Sequence, residues 1–109
     1  MKIVLYAFAF LSVNSVFSQL ISGDVVDSKR PLLTETDFTI KASSEGVVVY
    51  ELAVDKKGNV TAETLVGSMT TIKSTPMRLD AKNMVHKFKF KEGLYPQFQH
   101  VRVKITFVK

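Results

Sequence analysis

The chain has 109 residues, with 15 Lys and Arg against 10 Asp and Glu, a formal charge of +5, and neither Cys nor Trp. That length fits one domain. The lack of Cys excludes disulfides, thiolate metal sites, a cysteine nucleophile and a lipoprotein anchor, and three scattered prolines exclude a Pro-rich spacer.

Residues 1–18 carry the pattern of an export signal. Met1-Lys2 is a charged start, Ile3 to Leu11 is apolar, and a polar stretch ends in Val16-Phe17-Ser18, where slim residues suit a signal peptidase. A membrane-spanning helix needs about 20 apolar residues, and Ser12, Asn14 and Ser15 interrupt this run too early. Cleavage after Ser18 is expected, with no transmembrane anchor left afterwards. An exported chain without disulfides fits a bacterial periplasm better than a eukaryotic secretory route.

Residues 19–45 show no period. Gly23, Asp24, Asp27, Ser28 and Pro31 are turn formers interleaved with Val25-Val26 and Leu32-Leu33. This stretch is read as an N-terminal arm lying against the domain, with Phe38-Thr39-Ile40 as a short extended piece and Ala42 to Gly46 as a turn. From Gly46 the pattern sharpens. Val48, Tyr50, Leu52 and Val54 alternate with Val47, Val49, Glu51 and Ala53, as a strand requires. Asp55-Lys56-Lys57-Gly58 then predicts a type I hairpin turn with a bulge at Gly58, and the return strand runs from Asn59 to about Gly67. Ser68 to Thr75 is a polar connection.

Thr75-Pro76 predicts a helix start, with Thr75 as N-cap and Pro76 where its missing N–H costs nothing. Met77, Ala81, Met84, Val85 and Phe88 share one face, while Lys82, Asn83, His86 and Lys87 lie away from it. Gly93 and Pro96 break the chain. The last segment alternates strictly, Val101, Val103, Ile105 and Phe107 against His100, Arg102, Lys104 and Thr106. The expected fold is α+β, in the order β-β-α-β: a three-stranded antiparallel or mixed sheet of spatial order 2-1-3, one helix on one face, and the N-terminal arm. Val48, Tyr50, Leu52, Val54, Met84, Phe88, Val103, Ile105 and Phe107 are its expected core.

Catalysis needs convergent groups, and none gather in the sequence. His86 and His100 have no metal-ligand spacing, and no serine sits in a G-x-S-x-G elbow. Asp24 and Asp27 suit turns better than acid–base work. Gly46, Gly58, Gly67 and Gly93 stand too far apart for a phosphate loop. The chain is not read as an enzyme, and no metal or cofactor is implied. Lys82, Lys87, Lys89, Lys91, Arg102, Lys104 and Lys109 form a basic series with Phe88, Phe90, Tyr95 and Phe98 among them. Its plainest reading is a solvated face and favourable helix-end charge, and export argues against nucleic acid.

Gly46 to Val60, with its Val54-Asp55-Lys56-Lys57-Gly58-Asn59-Val60 turn, followed by a helix ending in Phe88-Lys89-Phe90 and a last strand with Ile105-Thr106-Phe107, resembles the TonB C-terminal domain family over residues 46–108. Phe88 stands where that family has Trp, and Glu92 and Lys104 stand where it has Pro. The resemblance marks residues 46–109 as the domain. It implies an exported interaction module, in the periplasm or cell envelope of a double-membraned bacterium, whose last strand takes up an extended segment of an envelope or outer-membrane protein. Mapped here, the partner-binding residues are His100, Arg102, Lys104, Thr106 and Val108, and strand addition is the physical mode. A link to TonB-type transport follows from the same resemblance. The 27 residues from Gln19 to Glu45 are too few to act as that family's long rod. Two other readings stay open. One is a homodimer formed through the same edge or the Val47/Val49 face. The other is a basic surface that binds anionic envelope polymers.

Overall fold

The computed structural model describes residues 20–109, so the export signal expected over residues 1–18 lies outside the described residues. In chain order the elements are β1 (Leu20–Ser22), α1 (Asp24–Asp27), β2 (Thr39–Lys41), β3 (Gly46–Asp55), β4 (Val60–Leu65), a 3-10 turn (Gly67–Met69), α2 (Thr75–His86) and β5 (Phe98–Val108).

The β3–β4 hairpin follows from its local sequence. Gly58 N donates to Asp55 O at 3.0 Å and Asn59 N donates to the Asp55 carboxylate at 2.9 Å. Gly58 has φ +88°, as the expected bulge at Gly58 requires; a further register shift lies beyond it, where Ala53 pairs with Ala62 and Val54 with Val60. Glycine is required at position 58 twice over. A Cβ would sit 1.9 Å from the Phe90 carbonyl oxygen, and that close approach lets Phe90 N donate to Gly58 O at 2.8 Å. The helix starts one residue earlier than expected. Ser74 is extended and its hydroxyl accepts from Met77 N at 3.4 Å, so Ser74 is the N-cap and Thr75 is the first helical residue. Both hydroxyl residues suit a cap, and Pro76 has no donor to lose anywhere in the first turn, so the sequence pattern alone does not choose between them. Ala81 and Val85 are fully buried, with Met77 and Met84 partly so.

The expected three-stranded sheet with one helix is corrected. The sheet has five strands in the order β1-β5-β3-β4, with β2 also paired to β5, and α1 is a second helix. All pairings are antiparallel except the parallel β2–β5 pair. The extra strands and the extra helix come from the segment read as an arm. Its strands have only three residues each, too few to display a period, and their pairing with β5 is long-range.

One face of the sheet is the core. Val48, Tyr50, Leu52 and Val54 lie opposite Ile105, Val103, Val101 and Gln99, and α2 covers them. The arm reaches into the same core. Leu20, Val25 and Phe38 are buried, and the Phe38 ring meets the Phe88 ring edge-on at 5.8 Å. Arg30 pins the arm. It is 2% exposed, and its guanidinium donates to Lys91 O at 2.8 Å, Asp55 O at 2.8 Å, Lys56 O at 3.3 Å and Gln99 Oε1 at 3.3 Å. Its charged carbon lies 4.2 Å from the centre of the Tyr95 ring. Among the described residues no helix is long and apolar enough to cross a membrane.

Candidate functional site

Residues of opposite parity on β3 and β5 point away from the core. β5 therefore carries an outer row of Phe98, His100, Arg102, Lys104, Thr106 and Val108, facing Asp55, Ala53, Glu51, Val49 and Val47 of β3. All five residues predicted to meet a partner stand in this row. His100 N donates to an Asp24 carboxylate oxygen at 3.1 Å, and His100 Nδ1 lies 3.7 Å from the same oxygen. Arg102 Nε donates to Glu51 Oε1 at 3.4 Å and Arg102 Nη1 lies 3.6 Å from Met69 Sδ. Met69 belongs to the 3-10 turn, and beside that turn Val49 is buried although it is on the outer face. Lys104, opposite Val49, has no carboxylate within 4.0 Å among the described residues. Thr106 and Val108 line an open hollow of about 540 Å³ with Glu45, Gly46, Val47 and Phe107.

The main chain of this row is engaged as well. Thr106 N donates to Phe38 O at 2.9 Å and Val108 O accepts from Ala42 N at 2.7 Å. By alternation, the N–H and C=O groups of 100, 102, 104, 106 and 108 turn away from β3. That is the side on which β1 pairs at Arg102–Val103 and β2 pairs at Thr106–Val108. The edge that strand addition would use is thus occupied at its middle by β1 and at its C-terminal end by β2. The opposite edge, β4, is short and carries a bulge. Glu63 on it points toward α2 with its side chain 10% exposed, and its carboxylate lies 3.1 Å from His86 Nδ1. A bulge and an inward-pointing charge both disfavour added strands.

The basic series is dispersed by the fold. Lys82 and Lys87 sit on or beside α2, Lys89 and Lys91 lie next to the hairpin turn, and Arg102 and Lys104 are on the outer sheet face. Phe88 and Phe90 are core residues, and only Phe98 of that aromatic group is strongly exposed, at 53%. A second concavity of about 410 Å³ lies between residues 34–36 and α2, floored by Met84 and Phe88 and rimmed by Glu35, Asp80 and Lys87. No group of three or more His, Asp or Glu suited to a metal ion occurs among the described residues. Sequence reasoning missed Arg30, whose acceptors are mostly backbone carbonyls and leave no sequence trace. It also missed Met69, which gives no signal beyond being an apolar residue in a hydroxyl-rich connection.

No protein-family model, curated protein or solved structure matches this chain.

Proposed function

We propose that this chain is an exported protein-interaction module of the bacterial cell envelope, and that it meets an acidic partner through side chains on the outer face of its sheet. The observation that carries this reading is the row His100, Arg102, Lys104, Thr106 and Val108. These side chains line up on the longest strand, on a face that α2 does not cover, and Lys104 has no carboxylate within 4.0 Å among the described residues. The resemblance of the hairpin and last strand to the TonB C-terminal domain is what suggests an envelope partner. With β1 and β2 already paired to β5, a face contact suits the residues better than an added strand. A homodimer whose axis passed near Arg102 and Lys104 would set them against their copies, and such like-charge contacts cost several kcal/mol, on the order seen at mismatched interfaces.

The test is a paired charge reversal. Arg102→Glu with Lys104→Glu should cut capture of the partner from envelope extract about ten-fold or more, and wild-type capture should weaken as salt rises. Lys82→Glu with Lys87→Glu, on or beside the helix, should change it little. If the helix pair matters as much as the sheet pair, the outer-face reading fails.

A further inference from the structure

One end of the molecule is gathered around Arg30. Its contacts bring together the 55–58 turn through Asp55 O and Lys56 O, the 89–91 segment through Lys91 O, the start of β5 through Gln99, and the 92–97 loop through Tyr95. Further bonds tighten the same end. Lys91 N donates to Pro31 O at 2.9 Å, and Lys89 Nζ donates to Lys57 O at 2.6 Å and Asn59 Oδ1 at 2.8 Å. From this fixed base two apolar side chains project. Leu94 is fully exposed, at 108% of its reference area, and Phe98, which pairs with Asp55 across the sheet, is 53% exposed. On and beside the segments that Arg30 joins stand the exposed Lys29, Lys56, Lys57, Lys89 and Lys91, against the carboxylates of Asp24, Asp27, Asp55 and Glu92. The Asp55 carboxylate accepts from Asn59 N.

Two exposed apolar side chains on lysine-rich segments suit one kind of surface. Neither hollow described above lies at this end, and a rigid protein partner would need a hollow of matching shape. A bilayer interface yields to such side chains: they enter the headgroup–acyl boundary while lysines stay with the lipid phosphates. The excess of lysines selects an anionic surface. We propose that this end docks on an anionic lipid bilayer, with Leu94 and Phe98 entering the interface and Lys29, Lys56, Lys57 and Lys91 meeting the headgroups. The ligand differs from that of the outer-face contact, and Phe98 is the one residue of the outer row that this surface includes.

The chain has no Trp, so a single introduced Trp reports its own surroundings. Leu94→Trp places it at this end. Leu79→Trp places it on the exposed side of α2, where Leu79 is 51% exposed. Both variants keep the same N-terminal residues, so any tethering by the apolar run Ile3–Leu11 is common to them. Thermal melts first establish that each variant is folded. On vesicles of phosphatidylcholine with phosphatidylglycerol, the Leu94→Trp emission should move to shorter wavelength and be quenched by brominated lipid. The Leu79→Trp emission should not move. Lys56→Gln and Lys57→Gln in the Leu94→Trp background should each weaken partition about five-fold. No shift at position 94 on anionic vesicles overturns the proposal. So does an equal shift at position 79, or equal partition into pure phosphatidylcholine.

Discussion

Arg30 shows how much one buried side chain can organise. Burial lowers its pKa from the ordinary arginine value, and the nearby Tyr95 and Asp55 oppose that effect. The charge is held chiefly by neutral oxygens on separate segments, which only a planar fork with several donors can reach at once. Arg30→Lys keeps the charge and loses the fork. It should therefore cost about 3 kcal/mol or more, because buried acceptors lose charged donors; the midpoint of urea unfolding measures it. Destabilisation below about 1 kcal/mol would show that water replaces the guanidinium. Tyr50 gives a second prediction at this scale. Its hydroxyl donates to Arg78 O at 2.9 Å, and burial raises its pKa above the ordinary tyrosine value, with Arg78 opposing. A phenol whose pKa rises on folding stabilises fully below the unfolded value, near pH 10, and that contribution is lost as pH rises further. Thermal stability should thus fall more steeply above about pH 10 in the wild type than in Tyr50→Phe. Parallel alkaline profiles would show that Tyr50 is not the source of the fall.

Among the elements, the arm behaves as part of the fold. β1 and β2 are short, yet between and beside them Leu20, Val25, Arg30 and Phe38 are buried. Phe38 holds φ +60°, an uncommon backbone state for a bulky residue, and its amide donates to Thr36 Oγ1 at 3.0 Å. The ring that this backbone turns inward packs edge-on against Phe88. Phe38→Ala should cost about 3–5 kcal/mol through lost transfer energy and the cavity left behind. A fragment of residues 46–109 would lack four buried side chains and leave one edge of β5 bare. It should give no cooperative melt by circular dichroism, whereas residues 19–109 should melt as one unit. A sharp transition for the 46–109 fragment would return the arm to an accessory role.

At the scale of the whole molecule, the two sheet faces do different work. The inner face supplies cohesion, and the outer face is not covered by α2. Arg102 and Glu51 are each 41% exposed at 3.4 Å, a pair worth at most about 1 kcal/mol in solvent. Reversing Arg102 and Lys104 should consequently shift the melting temperature by no more than about 5 °C, with the chain remaining folded. Calorimetry of the double variant checks this. A much larger fall would mean that the outer face is structural, and a loss of binding could then not be read as a loss of contact.

Some of this architecture is written locally. The alternation Val48, Tyr50, Leu52, Val54 and the Asp55–Gly58 turn dictate a hairpin, because side-chain parity and turn geometry involve neighbours in the chain. The spacing of Met77, Ala81, Met84 and Val85 sets the phase of α2 for the same reason. Parity by itself also places His100, Arg102, Lys104, Thr106 and Val108 in one row, since alternate side chains of a strand share a face. Tertiary structure alone decided what lies beside that row. Strands of three residues carry no period, and their pairing depends on which backbone groups remain free once distant segments have met. The acceptors of Arg30 at residues 55, 56, 91 and 99 are brought together only by the fold. Three of them are backbone carbonyls, which every residue type supplies, so no composition or spacing marks them in advance.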